Sequence, residues 1–319
     1  MAPIAVAVGV LQRADGRVLV AHRGAARHQG GGLEFPGGKI EPGEAAEQAL
    51  ARELFEEIGV HSPRTEPLVR RLHDYGDRTV ELDVFLVHSW TGEPCGAEGQ
   101  RLEWLELEAL TPDRFPAANR PILAALRLPP FYLITPAPAD GSARERQRIV
   151  AGVRRAVERG ITMVQLRAHG LDTPAWHALV AEIAAVTDSA GCRLLVNAPV
   201  AAVPDLPSSA GLHLSAYEAR SLRHRPVNTE RTFACSCHGT EEITVAEALE
   251  ADFAVLGPVL PTPTHPDAPG MGWEAFARHA ATTTLPLYAL GGVGSAELAR
   301  VRDAGGIGVA GIRAFWPGD

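Results

Sequence analysis

From residue 131 onward the chain repeats one motif, a short apolar run followed by a segment that can be helical. The runs are FYLIT (131–135), TMVQLR (162–167), RLLVNA (193–198), GLHLS (211–215), FACSCH (233–238), FAVLGPV (253–259), PLYALGG (286–292) and GIGVAGI (306–312). The first seven precede segments such as ARERQRIVAGVRRAVERG (143–160) and SAELARVRDAG (295–305). Strands alternating with helices build a parallel sheet, and eight such units predict a (β/α)8 TIM barrel. The chain stops at Asp319, too soon for a full eighth helix, so a compact barrel with one thinly covered side is expected.

Residues before this repeat follow a different plan. IAVAVGVLQ (4–12) reads as a buried strand, ADGR (14–17) as a hairpin turn and VLVAHR (18–23) as its return strand. A Gly-rich loop and a Glu-rich helix follow. RTVELDVFLVHSW (78–90) alternates like a strand, LEWLELEAL (102–110) is a further apolar run, and PILAALRL (121–128) is a helix that Pro121 can start. Pro129 and Pro130 then make a stiff junction. At 319 residues two domains are expected: a mixed-sheet α/β/α sandwich over 1–128 and the barrel over 131–319.

Charge narrows the function. Residues 1–130 carry 14 basic against 19 acidic side chains and residues 131–319 carry 16 against 19, giving −5 and −3. Neither half has the basic excess of a protein that grips a nucleic-acid backbone, whereas a free nucleotide carried with a divalent ion is compatible. The basic residues are 29 arginines and one lysine, Lys39, so the barrel half has no lysine for Schiff-base chemistry. Cys95, Cys192, Cys235 and Cys237 match neither zinc nor disulfide spacing and read as buried thiols of a reducing cytoplasm. The N-terminus has no basic leader, and its apolar run is too short to span a bilayer, so neither export nor membrane insertion is expected.

Six glutamates fall between Glu41 and Glu57, with Arg52 the only positive charge among them. On one helix, Glu53, Glu56 and Glu57 crowd a single face, where like charges cost roughly 0.2–0.5 kcal/mol per pair. A solvated acidic face is the ordinary reading of such a helix. Here the spacing is locked to a Gly-rich loop, GGK (37–39), whose backbone can approach closely, and Arg52 is placed to brace the carboxylates. Clustered carboxylates suit Mg2+, which prefers oxygen ligands and keeps waters and substrate phosphates as partners.

Gly38, Glu44, Arg52, Glu53, Leu54, Glu56, Glu57, Gly59 and Val60 occupy every fixed position of the Nudix box, and the stretch resembles that hydrolase family. LEFPGGKIEPGE (33–44), LVHSWTGEPCGAEGQ (86–100), EWL (103–105) and RFPAANRPIL (114–123) extend the likeness to MutT-type 8-oxo-dGTP diphosphatases across nearly all of residues 4–128. The resemblance implies a Mg2+-dependent hydrolase, Mn2+ being an alternative ion, that acts on a nucleoside triphosphate. It implies metal ligands at Glu56, Glu57, the Gly37 or Gly38 carbonyl and Glu98, with Glu53 at the metal and orienting or deprotonating the attacking water. Glu44 and Arg52 complete that catalytic set. Lys39 and Arg23 would face the phosphates, Asn119 would read the oxidised base through its amide, and Phe35 and Arg78 would shape the base pocket. Without the resemblance, Glu98 is an ordinary loop glutamate and Asn119 a helix cap. His22, His28 and His61 read as surface residues with no partner at ligand spacing.

In the barrel half, active sites collect after the carboxyl ends of strands, where Arg167, Asn197, His213, Ser236, His238, Thr262, Thr264 and GGVGS (291–295) lie. Gly291, Gly292 and Gly294, opening a helix, can cradle a phosphate or simply make a tight turn. YLIT, VQLR, LLVN, GLHL, CSCH, LGPVLPTPTHPDAPGMG (256–272) and ALGGV (289–293) resemble the thiamine phosphate synthase and TenI family over 131–315. The synthase pattern is incomplete: a pyrophosphate-binding lysine is His169, a Mg2+ aspartate is Ala198, a second is Glu218, and the lysine of PTPTK is His265. Synthase activity is therefore not expected. TenI-like tautomerase chemistry needs a proton shuttle, and His238 matches the histidine assigned to it; a histidine merely hydrogen-bonded at a strand end fits equally. The expected barrel ligand is a thiazole or pyrimidine phosphate, converted or sensed. Three alternatives stand beside this: Nudix hydrolysis of a thiamine-pathway diphosphate, a non-catalytic Nudix module, and a barrel that serves only structure or dimerisation. Oligomeric state is not legible.

Overall fold

The computed structural model describes residues 3–22, 32–62, 64–76, 78–262 and 270–317. Two compact units emerge, one on residues 1–128 with 280–284 and 302–307, the other on 129–279, 285–301 and 308–317 of the described chain.

The first unit is a mixed α/β structure with two small sheets. Its strands are β1 (Ile4–Leu11), β2 (Val18–His22), β3 (Leu33–Glu34), β4 (Gly37–Lys39), β5 (Glu66–Asp74), β6 (Thr79–Val87) and β7 (Leu102–Leu105). One sheet runs β4-β1-β6-β5 and the other β3-β2-β7. Helix α1 (Ala46–Ile58) packs on β1 and β4, and α2 (Arg120–Arg127) on β5. Leu50, Leu54 and Ile58 of α1, each fully buried, close the core with Ala7, Leu11, Leu19, Phe85 and Val87. That apolar stripe fixes which face of α1 turns inward, and so leaves the glutamate face at the surface. Gly59 ends the helix at φ +69, a left-handed conformation that glycine adopts without strain.

The expected β1–β2 hairpin does not form as a paired ribbon. The turn is made, with Arg13 N–H donating to the Arg17 carbonyl at 2.9 Å, but only the Gln12–Val18 bridge follows it. β1 is already paired on both sides, antiparallel to β4 and parallel to β6. β4 occupies the Val6–Val8 edge along which a hairpin would continue, and β2 pairs with β3 and β7 instead.

The second unit is a closed barrel of eight parallel strands: β8 (Phe131–Ile134), β9 (Met163–Arg167), β10 (Arg193–Asn197), β11 (Gly211–Leu214), β12 (Phe233–Cys237), β13 (Phe253–Leu256), β14 (Leu287–Leu290) and β15 (Gly308–Gly311). Helices α3 (Ala143–Glu158), α4 (Thr173–Ser189), α5 (Ala216–Arg220), α6 (Thr240–Ala248), α7 (Gly272–Ala281) and α8 (Leu298–Asp303) follow six of the strands. After β10 the expected helix is a 3-10 segment, Val200–Asp205. Pro199 and Pro204 bracket it, and a proline in that position removes a helical donor and clashes with the preceding turn. Side-chain oxygens of Ser142, Asp172 and Ser215 cap α3, α4 and α5. Among the described residues no helix is long and apolar enough to cross a membrane.

Of the four cysteines, Cys192, Cys235 and Cys237 are buried, while Cys95 is exposed on the loop after β6, correcting the expectation that all four are interior. A loop of small and polar residues, TGEPCGAEG, offers no apolar layer to cover it.

Candidate functional site

The Glu-rich face of α1 is organised around Arg52. Its Nε and Nη2 donate to both oxygens of Glu44 at 3.1 and 3.0 Å, its Nη1 to Glu53 at 2.8 Å and Glu56 at 3.2 Å, and Nη2 also to the Lys39 carbonyl at 3.0 Å. One guanidinium thus ties the helix to the Gly-rich strand β4. These hydrogen bonds hold Glu44 below the ordinary carboxylate pKa and raise that of Arg52.

Two glycines let the carboxylates reach the β4 backbone. A Cβ on Gly38 would stand 2.2–2.4 Å from the Glu53 carboxylate. Gly37, at φ +146, donates its N–H to Glu57 Oε2 at 3.0 Å. The loop after β6 then closes on the end of α1: Ala97 N–H and Gln100 Nε2 both donate to the Glu57 carbonyl at 2.9 Å. Gln100 also accepts from the Glu98 N–H through Oε1 at 2.9 Å. Glu98 therefore lies where its charge acts on Glu57.

The Glu57 carboxyl is pushed up to about 7, chiefly by burial, with Glu34, Glu98 and Glu53 adding repulsion against the lowering effect of the Gly37 N–H. Among the described residues no group of three or more His, Cys, Asp or Glu side chains stands at metal-holding geometry; Arg52 takes up Glu44, Glu53 and Glu56. The donor set nonetheless fits a hard cation, because it is all oxygen and carries more negative charge than the half-buried Glu57 tolerates.

Around this centre, Phe35 and Phe115 are buried and stacked with centroids 5.2 Å apart. Asn119 occupies the N-cap position of α2 but makes no side-chain cap bond, so its amide is not spent on the helix. Lys39 is exposed on β4, and Arg78 lies at the β5–β6 turn, its carbonyl accepting from Tyr75 N–H at 2.9 Å. Arg23 and His28 lie outside the described residues. His22 has a carboxylate partner after all, Glu103 on β7 at 2.8 Å, and His61 stacks on Phe55. Sequence spacing hides the first pair because the partners are 81 residues apart.

Two findings now place the chain. A family model described as thiamine monophosphate synthase matches residues 131–315, and one described as NUDIX domain matches residues 7–125. The 8-oxo-dGTP diphosphatase of Escherichia coli K12 is 43% identical over 128 residues, 40% of this chain and 98% of that protein. The chain belongs to both families. Its N-terminal part is a Nudix hydrolase and its C-terminal part a thiamine monophosphate synthase/TenI-type barrel. Thiamine-phosphate synthase of Syntrophomonas wolfei is 31% identical over 193 residues, 58% of this chain and 87% of that protein. A solved thiamine phosphate pyrophosphorylase from Pyrococcus furiosus covers 58% of this chain and 85% of its own, at 23% identity and TM-score 0.46.

In the TenI-type barrel, Arg167 and Asn197 stand side by side in register at the carboxyl ends of β9 and β10, with His213 next on β11. Ser236 on β12 is half-buried. His238, just beyond β12, is 64% exposed, and Glu242 in the first turn of α6 accepts both from its Nδ1 at 3.0 Å and from its backbone N–H at 2.6 Å. Ala198 is buried, and His169 is shifted below the usual histidine pKa by burial and by Arg167. Thr262 is half-buried beside Gly291, whereas Thr264 and His265 lie outside the described residues. The GGVGS run opens a 3-10 turn, Ser295–Glu297, that runs directly into α8, and the Gly294 N–H is given to Glu297 at 2.7 Å. Gly291 and Gly292, at φ +96 and +68, pack on Pro258 and Leu260, where any Cβ would collide. Tight packing explains those two glycines without an anion.

Sequence reading missed Glu34, Gln100, Glu242, Gln165 and Tyr132. Only Glu242 carried a local signal, its i+4 spacing from His238. The others are ordinary strand or loop residues until the fold supplies their partners.

Proposed function

We propose that the Nudix half hydrolyses 8-oxo-dGTP to the monophosphate and pyrophosphate with Mg2+. The observation that carries this is the Arg52-centred carboxylate cluster bound to the Gly-rich strand, and the likeness to the E. coli diphosphatase supports the substrate. Glu56, Glu57, Glu98, Glu53 and a Gly37 or Gly38 carbonyl would hold the cation. When bound, Mg2+ or Mn2+ neutralises phosphate oxygens and lowers the pKa of a water.

The chain's own residues do the rest. Arg52 keeps Glu53 against Gly38, so that its carboxylate is positioned to orient a water and receive its proton. Attack at the β-phosphorus forms a new P–O bond there, breaks the bond to the α–β bridging oxygen, and leaves that oxygen on the monophosphate. Lys39 and Arg23 would meet the phosphates. Phe35, Arg78 and the Asn119 amide, which makes no cap bond, would read the base, where 8-oxoguanine has a donor at N7 and guanine an acceptor. A polar site built for the donor rejects its absence by roughly 10^4. Pyrophosphate release with Mg2+ should be far faster on 8-oxo-dGTP than on dGTP, ADP-ribose or hydroxymethylpyrimidine diphosphate. A preference for the pyrimidine diphosphate would favour the thiamine-pathway alternative, and 18O from water in the monophosphate would place attack at the α-phosphorus.

For the barrel, the His238–Glu242 pair favours a thiazole phosphate tautomerase reading. Glu242 holds Nδ1, which leaves Nε2 to take a proton from one ring position and return it to another. Arg167, Asn197, Ser236, Thr262, Thr264 and Gly292 would line the ligand. Thiazole carboxylate phosphate should bind both wild type and His238→Ala, with turnover lost in the variant; absence of both in wild type would refute this reading.

A further inference from the structure

The loop that carries Glu98 is fastened to the end of α1 by a neutral side chain, that of Gln100. Helix α1 stops at Gly59, so the carbonyls of Glu57 and Ile58 have no donor inside the helix. The loop after β6 supplies donors to both. Cys95 N–H donates to the Ile58 carbonyl at 3.0 Å, and Ala97 N–H and Gln100 Nε2 both donate to the Glu57 carbonyl at 2.9 Å. The other end of the Gln100 amide turns back on the loop, where Oε1 accepts from Glu98 N–H at 2.9 Å.

Both partners of that amide are main-chain groups of fixed polarity, a carbonyl and an N–H, so a single orientation of the amide satisfies them. The side chain is half-buried, and Gly96 lies so close to the Gln100 carbonyl that a Cβ there would stand 1.9 Å from it. Gln100 thus spans from loop to helix without adding charge. Neutrality matters here, because Glu98 and Glu57 repel each other, and a guanidinium would hold them by pairing with their carboxylates, as Arg52 does with Glu44, Glu53 and Glu56. The amide grips the backbone of both residues and sets no positive charge beside them.

We infer that Gln100 is a positioning residue of the Nudix half: it latches Glu98 to the Glu57 end of α1 and, through Glu98, raises the affinity for a divalent cation. The inference rests on the cation-holding role proposed above for Glu57 and Glu98. It adds a residue that touches neither cation nor substrate and whose partners lie 2 and 43 positions away in the chain.

Two measurements on the full chain test it. In chelator, 1H–15N spectra should show the Glu98 N–H exchanging about fivefold faster in Gln100→Met than in wild type, the worth of one neutral hydrogen bond; an unchanged rate would overturn the latch. Mn2+ alone, followed by the electron paramagnetic resonance signal of the free ion, should bind Gln100→Met about tenfold more weakly than wild type, as for other residues that orient metal ligands. In a Glu98→Gln background the same change should add less than about twofold. Effects that simply multiply would show that Gln100 does not act through Glu98, and would refute the inference. Gly96→Ala, which displaces Gln100 while keeping its amide, should reproduce the loss where Gln100→Met does not fold, and unchanged affinity there would equally refute it. If wild type and Glu98→Gln bind Mn2+ equally, the proposed ligand set fails, and exchange at the Glu98 N–H still decides the latch.

Discussion

Replacing Glu57 by glutamine should stabilise the metal-free Nudix unit at alkaline pH and leave it unchanged in acid. The native carboxyl is shifted from 4.5 to about 7, first by burial and then by Glu34, Glu98 and Glu53. Between those values the folded chain holds a proton that the unfolded chain has released, so stability falls as pH rises through the window and levels off above it. At 1.36 kcal/mol per pH unit the full shift is worth at most about 3 kcal/mol. Residual solvent contact and proton sharing within the cluster reduce this to roughly 1–2 kcal/mol. Glutamine keeps the acceptor for the Gly37 N–H and discards the charge. Hydrogen exchange of peptides from β1 and α1, in chelator, reads the unit's opening free energy without interference from the barrel. Glu57→Gln should exceed wild type by about 1–2 kcal/mol at pH 8 and equal it at pH 4.5. Wild type equal to or more stable than the variant at pH 8 would refute the claim that Glu57 is an uncompensated, half-buried charge.

Three other outcomes follow from the same geometry. Gly38→Ala places a methyl 2.2–2.4 Å from the Glu53 carboxylate; Glu53 must move, and kcat should fall by about 10^2 or more, as for misplaced catalytic groups, with the circular dichroism spectrum retained. Mg2+ should raise the melting temperature of the Nudix transition and EDTA reverse it, by about 2.7 kcal/mol at a hundred times Kd; calorimetry that finds no shift would dismiss the carboxylate cluster as a cation site. Asn119→Ala should leave stability within about 0.5 kcal/mol, because no cap bond is lost, yet reduce the 8-oxo-dGTP to dGTP ratio of kcat/KM; a destabilised variant with unchanged selectivity would return Asn119 to a structural role.

Local pattern carried much of this protein. The eight barrel strands were legible because each is a short apolar run announced by its own residues, and all eight closed in chain order. The Glu-rich helix and its Arg52 brace followed from spacing, while its buried stripe of Leu50, Leu54 and Ile58 was not read there. What local pattern could not supply was partnership. β5, EPLVRRLHD, went unread because Arg70 and Arg71 break its apolar alternation. The β1–β2 hairpin was misread because strand edges are allotted by the whole sheet, and β6 had taken one edge of β1 and β4 the Val6–Val8 part of the other.

The same division holds at the sites. Sequence determined that six glutamates and one arginine share a short stretch with a glycine loop, and that the barrel lacks the lysines and one aspartate of the synthase pattern. Tertiary structure alone brought Glu34 and the 96–100 loop to Glu57, and so decided that this glutamate is the strained charge of the cluster. It also joined Asn197, Gln165, Tyr132, His213 and Ser236. The reason is physical: a residue's type and neighbours in sequence set what bonds it can make, but desolvation and long-range pairing set which bonds it must make, and both arise only when remote segments exclude water together.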